Sequence, residues 1–286
     1  MTITNECMTV SLRISMWKGQ RLDKAATEKI TDQAGADRDA ARVNKHLVPK
    51  KAIDPVQSAA SALRTHLYDN TLPWKDSGER ILTRRRYTKF IEEHEALVAD
   101  FNAAVDKFLN EDYLAARDQA EFRMGDLFKA DDYPSVMELR WKFRASLDID
   151  AVTEGKDFRV DIADKGEMQA RIERQKNERL GAAMHHLWDR LAKTLSHFAE
   201  KMSDKDARLY TSTITNLEEL VELIPDMNIM DDPRLEDIRQ KIAADLTGFD
   251  ANDFRKNPEV RSAIGAKANQ IMADMQGFMT AMEDAA

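Results

Sequence analysis

The chain contains 286 residues, of which 43% are hydrophobic and 33% are charged, and its formal net charge at pH 7 is −8. This length accommodates one large domain or two small ones. The negative charge disfavours nucleic-acid binding by bulk electrostatics, although a local basic patch is compatible with it. Only 10 glycines and 7 prolines are present, which favours long helices over a turn-rich sandwich or barrel.

Cysteine content and the lack of long apolar runs indicate the cellular compartment. Cys7 is the only cysteine, so an intramolecular disulfide is excluded. This composition suits a protein of the reducing cytoplasm. The segment from Met1 to Met8 lacks the basic and apolar regions of a secretory signal, and no window approaches the ~18 apolar residues of a membrane span. We therefore expect a cytoplasmic protein without membrane contact. Met8 is an alternative to Met1 as the translation start, because the patterned sequence begins just after it.

The first predicted element is a strand over residues 10–16, where apolar and polar side chains alternate with a period of two. Residues 1–9 are expected to form a flexible terminus. Three helices should follow, because Gly35 is a typical helix end, Pro49 a helix stop and Asp54 a favoured cap before a proline. These predicted helices cover residues 22–34, 37–47 and 54–68.

Residues 70–80 are predicted to be a polar loop in which Leu72, Pro73 and Trp74 anchor the chain on the domain. We interpret Trp74 as a packing residue rather than a ligand-binding residue, because it lies beside a proline in a charged loop. Helical periodicity resumes at Thr88. The helices predicted next cover residues 88–110, 111–124 and 136–143, with a turn at 132–135 before the last of them.

Residues 147–162 change to an alternating pattern that predicts a strand or hairpin, with Phe158, Val160 and Ile162 on one face of its second half. We expect one half to pair with the 10–16 strand, because an isolated hairpin is only marginally stable. The longest helix is predicted over residues 165–202, with a polar first half and an apolar stripe in its second half. Later helices are predicted over residues 207–224 and 233–246 and from Pro258 nearly to the C-terminus.

Together these elements predict a mainly α fold: an elongated helical bundle with long helices and a small β-element of two or three strands. A single mainly helical domain is expected over residues 10–286, with a weak boundary near residue 165. The sequence shows no tandem repeat and no low-complexity linker that would divide it further.

Familiar catalytic and phosphate-binding motifs are missing. The sequence contains no HExxH, GxSxG, GxxxxGK[ST] or GxGxxG pattern, which disfavours a zinc protease, a serine hydrolase or a nucleotide hydrolase. His185 and Asp189 share a helix face with Glu173 three turns away, but a metal site needs three or four converging ligands. His94 falls on an apolar helix face, as a core histidine does. We therefore predict no catalytic residue, no metal site and no cofactor.

The densest basic cluster is a candidate nucleic-acid patch. Basic residues interleaved with aromatics can clamp single-stranded nucleic acid. The alternative is that consecutive arginines at a helix start fan out around the helix and pair with the abundant acidic residues. The cluster consists of Arg80, Arg84, Arg85, Arg86 and Lys89.

The last helix is a candidate interface. Its apolar residues step by three and four, and four methionines among the last fifteen residues give it a deformable surface. One alternative is that this face closes the intramolecular bundle. The other is that part of it docks a protein partner or a second copy of the chain. The candidate interface residues are Ile264, Ile271, Met275, Phe278 and Met282.

Five short motifs form a recognisable set across residues 10 to 240. They are MWKG (16–19), LPWKDSGER (72–80), DYP (132–134), DFRV (157–160) and DDP (231–233). As a set they resemble an uncharacterised family, a domain of unknown function found in bacteriophages and bacteria. The resemblance implies a gene neighbourhood with MoxR-type or cobalt-chelatase-like ATPases and von Willebrand A-type proteins, and a bacterial host cell. It implies no catalytic residues.

Three functions are open at this point. The leading hypothesis is a non-enzymatic, phage-type interaction or assembly protein that acts through helical surfaces, either with itself or as an accessory to an AAA+ ATPase. The second is a nucleic-acid-associated protein that uses Arg84, Arg85 and Arg86, which salt-dependent binding would reveal. The third is an enzyme of unrecognised type, which a buried cluster of perturbed carboxylates or histidines would favour.

Overall fold

The structure is a computed structural model, and it describes residues 3–159, 161, 163–204 and 208–283, with the side chains of residues 279–283 outside the description. Helices dominate the described residues, so the mainly α prediction is confirmed. Within these ranges, no helix combines the length and the apolarity needed to cross a membrane. The helices are α1 (Ile3–Glu6), α2 (Lys24–Ala34), α3 (Lys50–Asn70), α4 (Arg84–Lys107), α5 (Tyr113–Asp118), α6 (Ala120–Met124), α7 (Val136–Arg140), α8 (Lys165–Ser203), α9 (Thr211–Met227), α10 (Pro233–Asp245), α11 (Ala251–Lys256) and α12 (Pro258–Glu283). The strands are β1 (Cys7–Ser15), β2 (Gln20–Leu22), β3 (Asn44–His46), β4 (Leu72–Pro73), β5 (Arg80–Thr83) and β6 (Arg144–Ala151).

A strand near the N-terminus pairs with the first half of the 147–162 region, as predicted. β1 lies between β5 and β6 in a sheet of order β4-β5-β1-β6. Its antiparallel pairing with β5 places Cys7 opposite Thr83 and Val10 opposite Arg80. The strand begins at Cys7 rather than Val10, so the segment expected to be flexible contains α1 and the start of β1 among its described residues.

The helix predicted over residues 37–47 is wrong. This stretch ends in β3, which pairs antiparallel with β2. The reason is a long-range interaction, because Lys45 in the middle of β3 is buried and its ammonium contacts the carboxylates of Asp23 and Asp132. Local propensity carries no signal for a contact of this kind.

The second half of the predicted hairpin is also different. A 3-10 turn, Gly155–Asp157, follows β6, and residues 158 and 159 belong to no strand. Val160 and Ile162 lie outside the described residues. The polar loop predicted over residues 70–80 contains β4 and the start of β5, because the chain folds back on itself and pairs Leu72 with Ile81.

Cα–Cα proximity divides the chain into two compact units, each made of discontinuous segments. Unit 1 contains Met1–Ser11, Asn70–Thr88 and Ile149–Ala286, and unit 2 contains Leu12–Asp69 and Lys89–Asp148. Each unit has its own hydrophobic core. One domain over residues 10–286 implies cooperative folding of both units, and it stays a prediction.

The core of unit 1 is organised around α8, which is 39 residues long. Its apolar stripe between Met184 and Met202 is buried, as the spacing of three and four residues predicts. Helices α9 and α12 pack on α8. The contact with α12 is close at Gly265, where an added Cβ would lie 3.1 Å from the Cβ of Met202, so a small residue is needed there.

The core of unit 2 contains Phe101, Phe108 and Tyr113, all fully buried. The Tyr113 hydroxyl donates a hydrogen bond of 2.6 Å to the carbonyl of Pro134. This bond holds the turn before α7 against the core. Ser135 then caps α7, because its hydroxyl accepts a hydrogen bond from the backbone N–H of Glu138. These contacts fix the orientation of α7, which carries the surface described below.

Candidate functional site

Two of the five residues of the predicted basic patch are buried. Arg80 donates from Nε to the hydroxyl of Thr71 at 2.6 Å and from Nη2 to the carbonyl of the same residue at 2.7 Å. Arg86 donates from Nε to the side-chain oxygen of Asn70 at 2.7 Å. Both guanidinium groups therefore satisfy polar atoms inside unit 1 and are unavailable to a phosphate.

The exposed members of the cluster pair with carboxylates. Arg84 lies 3.3 Å from Glu6, and Arg85 lies 3.1 Å from Asp231 while donating to a backbone carbonyl. In unit 2, Lys89 lies 3.9 Å from Glu93. Consecutive arginines at the start of α4 thus fan out around the helix, so the cluster presents no row of free cations for a nucleic-acid backbone.

The loop residues Leu72 and Trp74 are buried and Pro73 is half-buried. The loop is closed by the carbonyl of Glu79, which accepts hydrogen bonds of 3.0 Å from the backbone N–H groups of Trp74 and Lys75. Gly78 has φ of 92°, a left-handed conformation that other residues rarely adopt. The indole of Trp74 belongs to the core of unit 1.

The candidate interface on α12 lies in the core of unit 1. Ile264, Ile271 and Met275 are buried, and α12 packs on α8. The partly buried ring of Phe278 lies 6.5 Å from that of Trp188. The side chain of Met282 lies outside the description. The described part of this stripe closes the helical core, so it is not open to a partner.

A buried charge cluster in unit 2 is the first candidate for chemistry. The ammonium of Lys45 contacts the carboxylate of Asp132, lies 3.3 Å from that of Asp23 and donates to the carbonyl of Leu127 at 3.1 Å. Burial lowers the pKa of Lys45, but its hydrogen bonds with the two carboxylates outweigh burial and raise that pKa above its ordinary value. The backbone N–H of Ala26 holds the pKa of Asp23 below its ordinary value. A lysine that acts as a general base needs the opposite shift, so these contacts do not favour Lys45 as a base.

A stack of buried rings on α3 and α4 is the second candidate. The rings of His66 and Phe90 lie 4.7 Å apart, and those of Phe90 and His94 lie 5.7 Å apart. Both ring nitrogens of His94 are buried without a hydrogen-bond partner in the described part of the chain. Because solvent does not reach these nitrogens, a substrate cannot reach them either. His94 is therefore not placed to act as a general base.

His94 should make unit 2 less stable in acid. Burial, and then the nearby His66, lower its folded pKa below the ordinary 6.5, against a smaller opposing effect of Glu95. The imidazole then binds a proton more readily in the unfolded chain than in the folded one. The free energy of unfolding therefore has its full value above about pH 6.5 and falls as the pH drops towards the folded pKa. Urea unfolding between pH 5 and 8 should show this slope, and His94→Leu should flatten it. Substitution of the exposed His197 by glutamine is the control, and an unchanged slope in His94→Leu would contradict the assignment.

The residues considered for a metal site do not converge. On the exposed side of α8, Nδ1 of His185 lies 3.8 Å from Asp189. Glu173 contacts Lys176 and accepts a hydrogen bond from the backbone of Gly155 at 3.2 Å. Within the described ranges, no group of three or more histidine, cysteine or acidic side chains is placed to hold a metal ion.

Unit 2 exposes large apolar side chains that sequence reasoning did not identify. Trp141 is 85% exposed and Met137, four residues earlier, is 76% exposed. Trp141 directly follows α7 and keeps a helical backbone, with φ of −70° and ψ of −15°. Residues four apart on a helix share a face, so the two form one exposed apolar surface, here called the Met137/Trp141 face. Leu139 on the opposite side of α7 is fully buried. Phe122 on α6 is 97% exposed.

The charges beside the Met137/Trp141 face are mostly positive. Arg140 pairs with Asp106 at 2.6 Å, and Glu138 is used by the helix cap. Lys142 and Arg144 are exposed and form no side-chain ion pair with any residue that the structure describes. The Met137/Trp141 face is therefore apolar and is bordered on one side by two unpaired cations.

A sequence signal for this face exists in residues 136–143. Val136, Met137, Leu139, Trp141 and Phe143 cannot all lie on one side of a short helix, because their spacing is nearly two. The core accepts only one side of such a segment, so the other side must expose apolar residues. The spacing alone does not show which side, since that depends on the turn at Pro134.

Comparison of the chain with protein-family models, with curated proteins and with solved structures gives no match.

Proposed function

We propose that the protein is a non-enzymatic interaction protein that binds a protein partner through the Met137/Trp141 face. The observation that carries this proposal is the exposure of a tryptophan and a methionine one helical turn apart on a capped helix. Tryptophan, methionine and arginine are enriched at interfaces, and tryptophan is among the residues that contribute most to binding energy. Leaving these side chains in water has no benefit for stability, which favours a role in recognition.

The unpaired cations beside the Met137/Trp141 face indicate which kind of partner surface it fits. Lys142 and Arg144 favour a surface that combines an apolar groove with carboxylates at its rim, because opposite charges steer association and like charges oppose it. A second copy docking face to face would bring these cations against their own equivalents. We therefore propose a different protein as the partner.

The motif resemblance supports an ATPase partner. It implies MoxR-type or cobalt-chelatase-like ATPases encoded nearby, so we propose that the chain is a phage-type accessory to such an AAA+ ATPase in the bacterial cytoplasm. The elongated form of its helical bundle is part of this proposal, and it is supported by the length of α8, which has 39 residues. Small-angle scattering of the purified chain measures that form directly.

A photo-crosslinking amino acid at position 141 should give one discrete covalent adduct with the neighbouring ATPase in cells that contain both proteins. The same group at position 121, where Glu121 is exposed on α6, should give less. Reversal of charge in Lys142→Glu and Arg144→Glu should reduce the adduct at position 141 about tenfold, which corresponds to ~1.4 kcal/mol. Quantitative mass spectrometry of the adducts provides the measurement.

Three results would contradict this function. One is an adduct that is equally strong at positions 141 and 121. Another is an adduct that charge reversal leaves unchanged, because the proposed rim of carboxylates would then be absent. The third is an adduct of twice the chain mass that contains only this protein, which would replace the ATPase by a second copy.

A further inference from the structure

Unit 1 contains a cavity of about 300 Å³ that the proposed function does not use. Cys7 and Thr83 line it and lie directly opposite each other in the pairing of β1 with β5. Opposite residues of an antiparallel pair project from the same face of the sheet. Both side chains therefore belong to the sheet face that borders the cavity, and the apolar side chains of Ile3 and Leu180 extend this lining.

The last turn of α9 and the segment after it form another wall of the cavity, from Asp226 to Asp231. It is braced by Asn228, whose side-chain oxygen accepts from the backbone N–H of Asp232 at 2.8 Å and whose amide donates to the carbonyl of Asp232 at 3.0 Å. Asp231 has φ of 49°, a left-handed conformation that is uncommon for residues other than glycine. These hydrogen bonds hold the wall in a fixed conformation.

One polar group at this cavity lacks a partner. Thr83 is 8% exposed, and its hydroxyl oxygen has no hydrogen-bond partner among the residues that the structure describes. Burying a hydroxyl without a hydrogen bond is unfavourable, and such groups in native proteins call for an explanation. The thiol of Cys7 beside it stays neutral, because burial raises its pKa to about 12. It is therefore a weak nucleophile near neutral pH.

The charges around the cavity favour a cation. Three carboxylates line it, on Glu6, Asp226 and Asp231, against the single guanidinium of Arg85. Arg85 is already paired with Asp231 at 3.1 Å, and Glu6 lies 3.3 Å from Arg84. Asp226 forms no ion pair within the described ranges. The carboxylate of Asp226 is therefore available to accept a hydrogen bond from a cationic ligand.

We propose that this cavity binds a small amphipathic cation, with an ammonium group on Asp226 and an apolar body against Ile3, Cys7 and Leu180. The volume is at the lower end of the range for small-molecule sites, which is roughly 300–1,000 Å³. Rotation about χ1 brings the Thr83 hydroxyl to the bound molecule, which satisfies the unpartnered oxygen. An anionic ligand would meet three carboxylates, so the cavity discriminates by charge.

Hexylammonium, hexanol and hexanoate are probes with the same apolar body and different charges. Cys7 is the only thiol in the chain, so its slow alkylation by iodoacetamide at about pH 9, where a small fraction of the thiol is ionised and hexylammonium is still a cation, reports on access to the cavity. Saturating hexylammonium should slow this alkylation at least fivefold and raise the thermal midpoint. The two other probes should do neither. Equal protection by hexanol, or greater protection by hexanoate, would overturn the charge selection.

Asp226→Asn should abolish the protection by hexylammonium while the chain stays folded. Asp237→Asn removes the same charge from an exposed position on α10 and should leave the protection intact. Thr83→Val replaces the hydroxyl by a methyl group and should weaken the protection at least threefold. Protection that survives in Asp226→Asn, or that is lost equally in Asp237→Asn, would overturn the site.

Discussion

Removal of the residues after Gly265 should unfold unit 1. The truncation deletes Ala268, Ile271 and Met275, which are buried against the rest of the unit. Truncating a single large core side chain costs about 2–5 kcal/mol, and a whole domain is stable by only about 5–15 kcal/mol. Removing several buried side chains that pack in the core around α8 therefore costs more free energy than the whole stability of unit 1.

Circular dichroism and mass in solution together test this expectation. The truncated chain should lose helical signal well beyond the deleted residues. A second truncation after Phe278 keeps the buried positions of α12 and should stay folded, which makes it the matched control. A truncated chain that stays folded with a lower mass per particle would contradict the core role and indicate that α12 joins copies of the chain.

The elements that sequence reasoning predicts well are those with local signals. Gly35 ends α2 in a left-handed conformation with φ of 60°, as a glycine after a helix does. Asp232 caps α10, because its carboxylate accepts a hydrogen bond from the backbone N–H of Arg234. The stripe on α8 is regular over many turns, so its buried face follows from spacing alone.

The elements that sequence reasoning misses depend on distant partners. β3 forms where a helix is predicted, since Lys45 reaches Asp132, which lies 87 residues away in the chain. β4 is two residues long and exists only through its pairing with β5. Periodicity detects neither, because a strand of two or three residues shows no repeat.

The candidate sites follow the same division. The basic cluster is visible in the sequence, but burial of Arg80 and Arg86 depends on the acceptors that Thr71 and Asn70 provide. Exposure of the Met137/Trp141 face depends on which side of α7 packs on the core. The hydrogen bond from Tyr113 to the turn before α7 sets this orientation. Composition and spacing cannot supply either answer.

Trp74→Ala should destabilise unit 1 by about 3–5 kcal/mol, the usual cost of truncating a buried aromatic side chain. The indole is only 6% exposed and belongs to the unit 1 core together with Leu72 and Ile81. Its backbone N–H also closes the 72–80 loop through the carbonyl of Glu79, a bond that alanine retains. The expected loss therefore comes from the indole and the cavity it leaves, rather than from the loop.

Trp141→Ala provides the matched control, because it removes the same side chain from an exposed position and should change stability by less than about 0.5 kcal/mol. Chemical unfolding followed by circular dichroism measures both variants on the same scale. The difference between them separates a packing tryptophan from a recognition tryptophan. Unchanged thermal stability in Trp74→Ala would show that the indole is not an anchor, and its side chain would then be free for binding. A large loss in Trp141→Ala would instead place that residue in the core and remove the basis of the Met137/Trp141 face.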